Sequence, residues 1–113
     1  MRRDEQRLTD ILDALETVSR FVLSKSQAEF LHDEVLRYAV AQQLTVVGEA
    51  AARISAEVHQ RYDHVPWADI IGFRNIVVHE YFGIDWTIVW RTATDQGPEL
   101  HRQITEIMKK EFG

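Results

Sequence analysis

The feature that most constrains the fold is an apolar seam in the middle of the chain, made of Leu36, Val40, Leu44, Val47, Ala51, Ile54 and Val58. Steps of three and four residues return a side chain to one face of an α-helix, whereas a half-buried strand needs alternation. The seam therefore predicts a long helix from about Gln27 to His59, the second of the chain. A stripe of that kind must be covered by other helices. Leu8, Ile11, Leu12, Leu15, Val18 and Val22 supply the first, amphipathic one over Asp4 to Val22. Ser24-Lys25-Ser26 interrupts it, and Ser26 is placed to cap the second helix. Gly48, Ala50, Ala51 and Ala52 thin the seam, so that another helix or a partner can approach its backbone. For the alanines, tight core packing is the simpler role. Glu49 and Arg53 are spaced for an i,i+4 ion pair, with Glu57 one turn further on, a pattern that usually marks a solvated face.

Beyond Tyr62 to Val65 the pattern breaks, and Pro66 suits the first turn of a third helix running to about Glu80. Ile70, Phe73, Val77 and Tyr81 form its inward stripe, and Ala68, Gly72, Asn75 and His79 a small and polar one opposite. Gly83 is placed to end it. A shorter fourth helix starts with Asp85 as cap and carries Ile88 and Val89 inward, with Trp86 and Trp90 partly so. Asp95-Gln96-Gly97 is expected as a turn, and Pro98 opens a last helix buried through Leu100, Ile104, Ile107 and Met108. Period-two alternation, internal repeats and linkers are missing. The prediction is an all-α, single-domain antiparallel bundle of about five helices over residues 1–113.

A chain of 113 residues can bury one real core and has no room for a second. No apolar run approaches the length needed to cross a bilayer, and MRRDEQRL has no apolar signal-peptide core, so neither membrane nor export is expected. The absence of cysteine excludes disulfides and thiol chemistry and suits a reducing cytoplasm. A net charge of −5 removes any general attraction to phosphate backbones. If the chain meets nucleic acid, a local basic pocket must hold it.

Chemistry concentrates in Pro66 to Trp86, PWADIIGFRNIVVHEYFGIDW, where Arg74, His79 and Tyr81 stand among apolar residues. Taken singly, each has an ordinary explanation. His79 is a helix-end histidine bonded to a carbonyl, Arg74 an ion-pair partner of Glu80 or Asp69, and Tyr81 a core aromatic with its hydroxyl at the surface. His59 and His64 flank the interhelix loop without the further ligands that zinc requires, and His32 and His101 look like surface residues. No Gly-rich phosphate loop, Ser-His-Asp arrangement or carboxylate cluster is found, and no metal or cofactor is expected.

The stretch as a whole resembles the HepT-like toxins of the HEPN ribonuclease superfamily, whose signature is Arg, four residues, His, one residue, Tyr. It maps without a gap onto Arg74, His79 and Tyr81, within Trp67, Ile70-Ile71-Gly72-Phe73, Asn75, Glu80, Phe82 and Ile84-Asp85. Val47-Gly48-Glu49-Ala50-Ala51 resembles the small-residue segment of the family's long second helix. The resemblance implies an HEPN-like bundle and a metal-independent endoribonuclease, the toxin of a type VII-like toxin–antitoxin pair. Arg74 and His79 would be catalytic, with Asn75 and Tyr81 supporting. It also implies a homodimer with a composite cleft, in which Glu49 and Arg53 could position the arginine. A partner nucleotidyltransferase antitoxin of the MntA type would transfer AMP to Tyr81.

One geometric difficulty accompanies this reading. Positions five apart on a regular helix are separated by about 140° around its axis, so Arg74 and His79 should not share a face. A helix distorted before His79, a long reach by Arg74, or residues combined from two chains would each resolve it. The competing expectation is a non-catalytic helical subunit that binds the nucleotidyltransferase or a nucleotide, and a third is a structural dimer without a ligand.

Overall fold

The computed structural model describes residues 2–76 and 83–113. Helices α1 (Arg2–Val22), α2 (Gln27–Leu31), α3 (Glu34–Ala52), α4 (Ala56–Arg61), α5 (Trp67–Gly72), α6 (Trp86–Arg91) and α7 (Gly97–Phe112) account for most of it. A 3₁₀ turn, Phe73–Asn75, continues α5, and a π segment, Thr92–Gln96, joins α6 to α7. Among the described residues there is no strand, and the predicted all-α architecture is the one found.

The segmentation differs from expectation in two places. The long second helix is three pieces, because Asp33 and Ser55 each start a new one. The Asp33 carboxylate accepts from the Leu36 amide at 3.0 Å, and the Ser55 hydroxyl from the Val58 amide at 3.3 Å. Side-chain acceptors of this kind satisfy amides that a helix start leaves without a partner. Ser55 is itself held from α1: its amide and hydroxyl donate to the Asp4 carboxylate at 2.9 and 2.7 Å. The predicted cap at Ser26 forms a full capping box, with Ser26 accepting from the Glu29 amide at 3.1 Å and Glu29 from the Ser26 amide at 2.8 Å. Despite the breaks, Val40, Leu44, Val47, Ala51, Ile54 and Val58 are all buried, with Leu36 half-buried beside them.

The second difference lies at Asp95-Gln96-Gly97, where no turn occurs and the chain stays helical through the π segment. Pro98 lies in the first turn of α7 and has no amide proton to give. Gly97 lets the chain pass, since a Cβ there would stand 3.3 Å from the Thr92 carbonyl oxygen. Asp85 caps α6 as predicted, accepting from the amides of Thr87 at 3.0 Å and Ile88 at 3.3 Å. Val89 points inward, whereas Ile88, expected to do the same, is 57% exposed.

Two apolar clusters result. The first joins α1, α3, α4, α5 and α7 through residues such as Ile11, Val47, Val58, Ile70 and Ile104. The second lies between the end of α1, α2, the start of α3 and α6, and contains Val18, Phe30, Val40, Leu44, Val89 and Ala93. Phe30 meets Trp86 edge-on at 6.4 Å and Trp90 at 5.2 Å. No helix among the described residues is long and apolar enough to cross a membrane.

Candidate functional site

The site is built on α5 and the turn after it. Pro66, expected inside the first turn, stands one residue earlier as the N-cap, and the helix begins at Trp67. Trp67 is buried and donates from its indole nitrogen to the Tyr62 carbonyl at 3.0 Å. Ile70 enters the first cluster, and Phe73 packs against both. The backbone then tightens from α to 3₁₀ geometry over Phe73–Asn75, the amide at the Ile76 cap donating to the Phe73 carbonyl.

Arg74 and Asn75 occupy that turn with exposed side chains, in line with exposed Ala68 and Gly72 on the outward face. Arg74 therefore does not sit on a regular α-helix, and a departure from α geometry lies at the arginine itself. His79, Glu80 and Tyr81, like Val77, lie outside the described residues. Of the carboxylates considered for Arg74, Asp69 makes no ion pair with it among the described residues.

What holds the turn is the backbone of α3. Gly48 is buried, and a Cβ on it would lie 2.6 Å from the Arg74 nitrogen, 2.9 Å from the Ile70 oxygen and 3.1 Å from the Ile71 oxygen. The small-residue segment thus admits another helix of the same chain. Glu49 and Arg53 are exposed and, among the described residues, make no ion pair with each other.

Two concave features flank Phe73. An open apolar groove of about 280 Å³ runs between the Arg74-bearing turn and α6, lined by Phe73, Ile76, Ile84, Ile88 and Val89. On the other side a cavity of about 410 Å³ has an apolar floor, including Leu15, Leu44 and Ile70, and a rim carrying Asp69, Asp95 and Glu99. Three carboxylates repel a phosphate, so the larger hollow is the wrong place for an RNA backbone.

A second arginine was not singled out by the sequence. The Arg37 guanidinium stands 5.3 Å from the ring centre of Trp86, immediately after the α6 cap, and donates to the Leu31 carbonyl at 2.5 Å. Tyr38 meets the same indole edge-on at 5.1 Å. No spacing rule links residues 37 and 86, so no sequence signal pointed there. The histidines with described positions are engaged locally. His59 is 3.0 Å from the Ala51 carbonyl, with its ring 4.7 Å from Trp67, and His64 lies 6.4 Å from the Tyr62 ring. His32 is 2.8 Å from the Ala28 carbonyl and His101 is 2.9 Å from Glu16. No group of three or more His, Cys, Asp or Glu suited to a metal ion occurs among the described residues.

Comparison with known proteins places this geometry in context. A family model described as "Ribonuclease HepT-like" matches residues 11–107. A candidate RNase of Caldanaerobacter subterraneus is 35% identical over 111 residues, covering 98% of this chain and 99% of its own. A candidate RNase of Methanocaldococcus jannaschii is 33% identical over 102 residues, covering 90% of this chain and 84% of its own. A probable ribonuclease HepT of Thermococcus cleftensis is 28% identical over 108 residues, covering 96% and 98%. No solved structure gives a significant match.

Proposed function

The chain belongs to the HepT-like ribonuclease family of the HEPN superfamily, and from that premise we propose that it is a metal-independent endoribonuclease acting as a cytoplasmic homodimer. The whole of residues 1–113 would form one such domain, the toxin of a toxin–antitoxin pair. The observation that carries the proposal is the Arg74 turn. Its backbone is pinned on α3 while the arginine side chain is exposed, at the start of the Arg74, His79, Tyr81 signature.

In the proposed reaction the ribose 2′-hydroxyl of RNA attacks the adjacent phosphorus. A histidine takes its proton, the phosphorane forms, and a histidine returns a proton to the departing 5′ oxygen. Imidazole suits both transfers because its ordinary pKa, about 6.5, lies near working pH. The Arg74 guanidinium donates a planar fork of hydrogen bonds to the phosphorane oxygens and keeps its charge. Two copies of His79 in a two-fold cleft would divide the roles of acid and base. Asn75, on the same turn as Arg74, would orient the arginine or the phosphate. The open groove ending at exposed Ile88 gives the second copy an apolar surface to cover. RNA would be held by the cleft alone, since the net charge is −5.

Regulation would come from an MntA-type nucleotidyltransferase antitoxin that transfers AMP to the Tyr81 hydroxyl. The added phosphodiester puts negative charge and bulk where RNA phosphate must bind. The second reading, a non-catalytic subunit that binds that partner or a nucleotide, draws on the same net negative charge, which disfavours RNA.

One set of assays separates the two. Wild type should cleave RNA in the presence of a chelator and leave a 2′,3′-cyclic phosphate, while His79→Ala should be folded and inactive, and Arg74→Ala and Arg74→Lys folded and reduced to a small residual rate. Cleavage by His79→Ala at the wild-type rate would sink the assignment. After incubation with the partner and ATP, intact mass should show AMP on wild type and none on Tyr81→Phe. A modified wild type without RNase activity before or after would favour the second reading.

A further inference from the structure

We propose that Gly48 is a positioning residue for Arg74, its missing side chain setting where the guanidinium stands; this rests on the reading of Arg74 as catalytic. A glycine inside a helix weakens that helix relative to alanine, so its use within α3 calls for a local cause. The cause is the close approach of the Arg74 turn. All three atoms nearest a Cβ at Gly48 are backbone atoms, the Arg74 nitrogen and the Ile70 and Ile71 oxygens, at 2.6, 2.9 and 3.1 Å. A side-chain tip could swing away from such a contact, whereas a backbone nitrogen moves only with its turn.

To reach ordinary contact at 3.4 Å from 2.6 Å, the turn must retreat from α3 and carry the arginine with it. Gly72 offers the internal contrast. It lies two residues before Arg74, is exposed, and a Cβ there meets nothing within 4 Å. Of the two glycines, one facing the turn and one leading into it, only Gly48 is needed for how closely it packs.

A misplacement of about 1 Å in a catalytic group costs on the order of 100-fold in rate. Gly48→Ala should therefore lower kcat for a fluorescein-labelled single-stranded RNA of mixed sequence by about that factor, with KM little changed. Circular dichroism should stay helical, and Gly72→Ala should cleave as wild type does. The decisive comparison is the cycle with Arg74→Ala. If Gly48 acts through the arginine, the Gly48→Ala/Arg74→Ala protein is no slower than Arg74→Ala alone. An equal loss from Gly48→Ala in both backgrounds, or wild-type cleavage by Gly48→Ala, overturns the proposal.

Should Gly48→Ala fail to fold, Ile70→Val loosens the packing of α5 on the first cluster. It should slow cleavage severalfold only where Arg74 is present, and equal slowing in both backgrounds overturns the proposal. Wild-type cleavage by Arg74→Ala would instead remove the catalytic assignment itself. Loss in Arg74→Ala with full activity in Gly48→Ala would remove only the positioning role.

Discussion

The two apolar clusters of this molecule are finished differently at their edges. Around the first, sixteen buried residues among those described are accompanied by six partly buried ones, and polar bonds close the margin. Asp4 holds Ser55 across the start of α1, Tyr62 donates to Glu111 at 2.7 Å, and the Trp67 indole donates to the Tyr62 carbonyl. Around the second, the ratio reverses among the described residues: six buried residues against nine partly buried ones, including Trp86, Trp90, Ile76 and Ile84. Among the described residues, one end is closed and directional, the other aromatic and open. Apolar surface left at the open end lies beside the Arg74 turn, where a second chain is proposed to dock. Buried side chains are thus concentrated at one end of the described bundle, and the proposed docking surface lies at the other.

That contrast can be broken most forcefully at the closed end. Ile104 is fully buried in the first cluster, and Ile104→Ala should lower unfolding free energy by about 2–5 kcal/mol in urea titration. A loss well below that would mean the first cluster is not the stabilising one. The margin comes next. Asp4→Ala removes both acceptors of Ser55 at a position only 4% exposed, which should cost about 1–3 kcal/mol. An unchanged midpoint would show the polar closure to be decorative.

The smallest effect on stability belongs to the open end. Ile88→Gln alters an outward side chain and should leave the unfolding free energy within about 0.5 kcal/mol of wild type. Light scattering should nonetheless shift from dimer toward monomer, and a monomeric wild type would remove the contrast's functional half. The pH dependence sharpens the closed end further. The hydrogen bond to the Glu111 carboxylate holds the Tyr62 hydroxyl above the ordinary phenol pKa. Its stabilisation is present below that ordinary value and lost as pH rises through the raised one. Tyr62→Phe should therefore flatten the alkaline limb of the stability profile, and an unchanged limb would refute the coupling.

These contrasts also show which parts of the structure were legible. The seam from Val40 to Val58 could be read because burial follows period, and the period stayed in phase across the break at Ser55. The breaks left a signal that was outweighed: both residues are capping types, yet an uninterrupted stripe favours one continuous helix. The bond from Asp4 to Ser55 spans 51 positions, and no local pattern encodes such a pairing. The π segment was hidden for another reason, since Gly97 and Pro98 usually signal a turn. At the site, the Arg74, His79, Tyr81 signature was legible as a motif, and Gly48 as a place of close approach. Which element would approach Gly48 was not, because a small residue announces space and not its occupant.

The tethering of the signature matters in polymer terms. Arg74 is fixed by backbone packing on Gly48, and Asp85 is fixed as the cap of α6. Two described points of the frame, the Arg74 turn and the start of α6, are thus held at a set separation. Closing the ends of a segment carries an entropic cost that changes slowly with its length. Here Arg74 and Asp85 are each held by contacts of their own, so that cost is already met by the folded frame on either side.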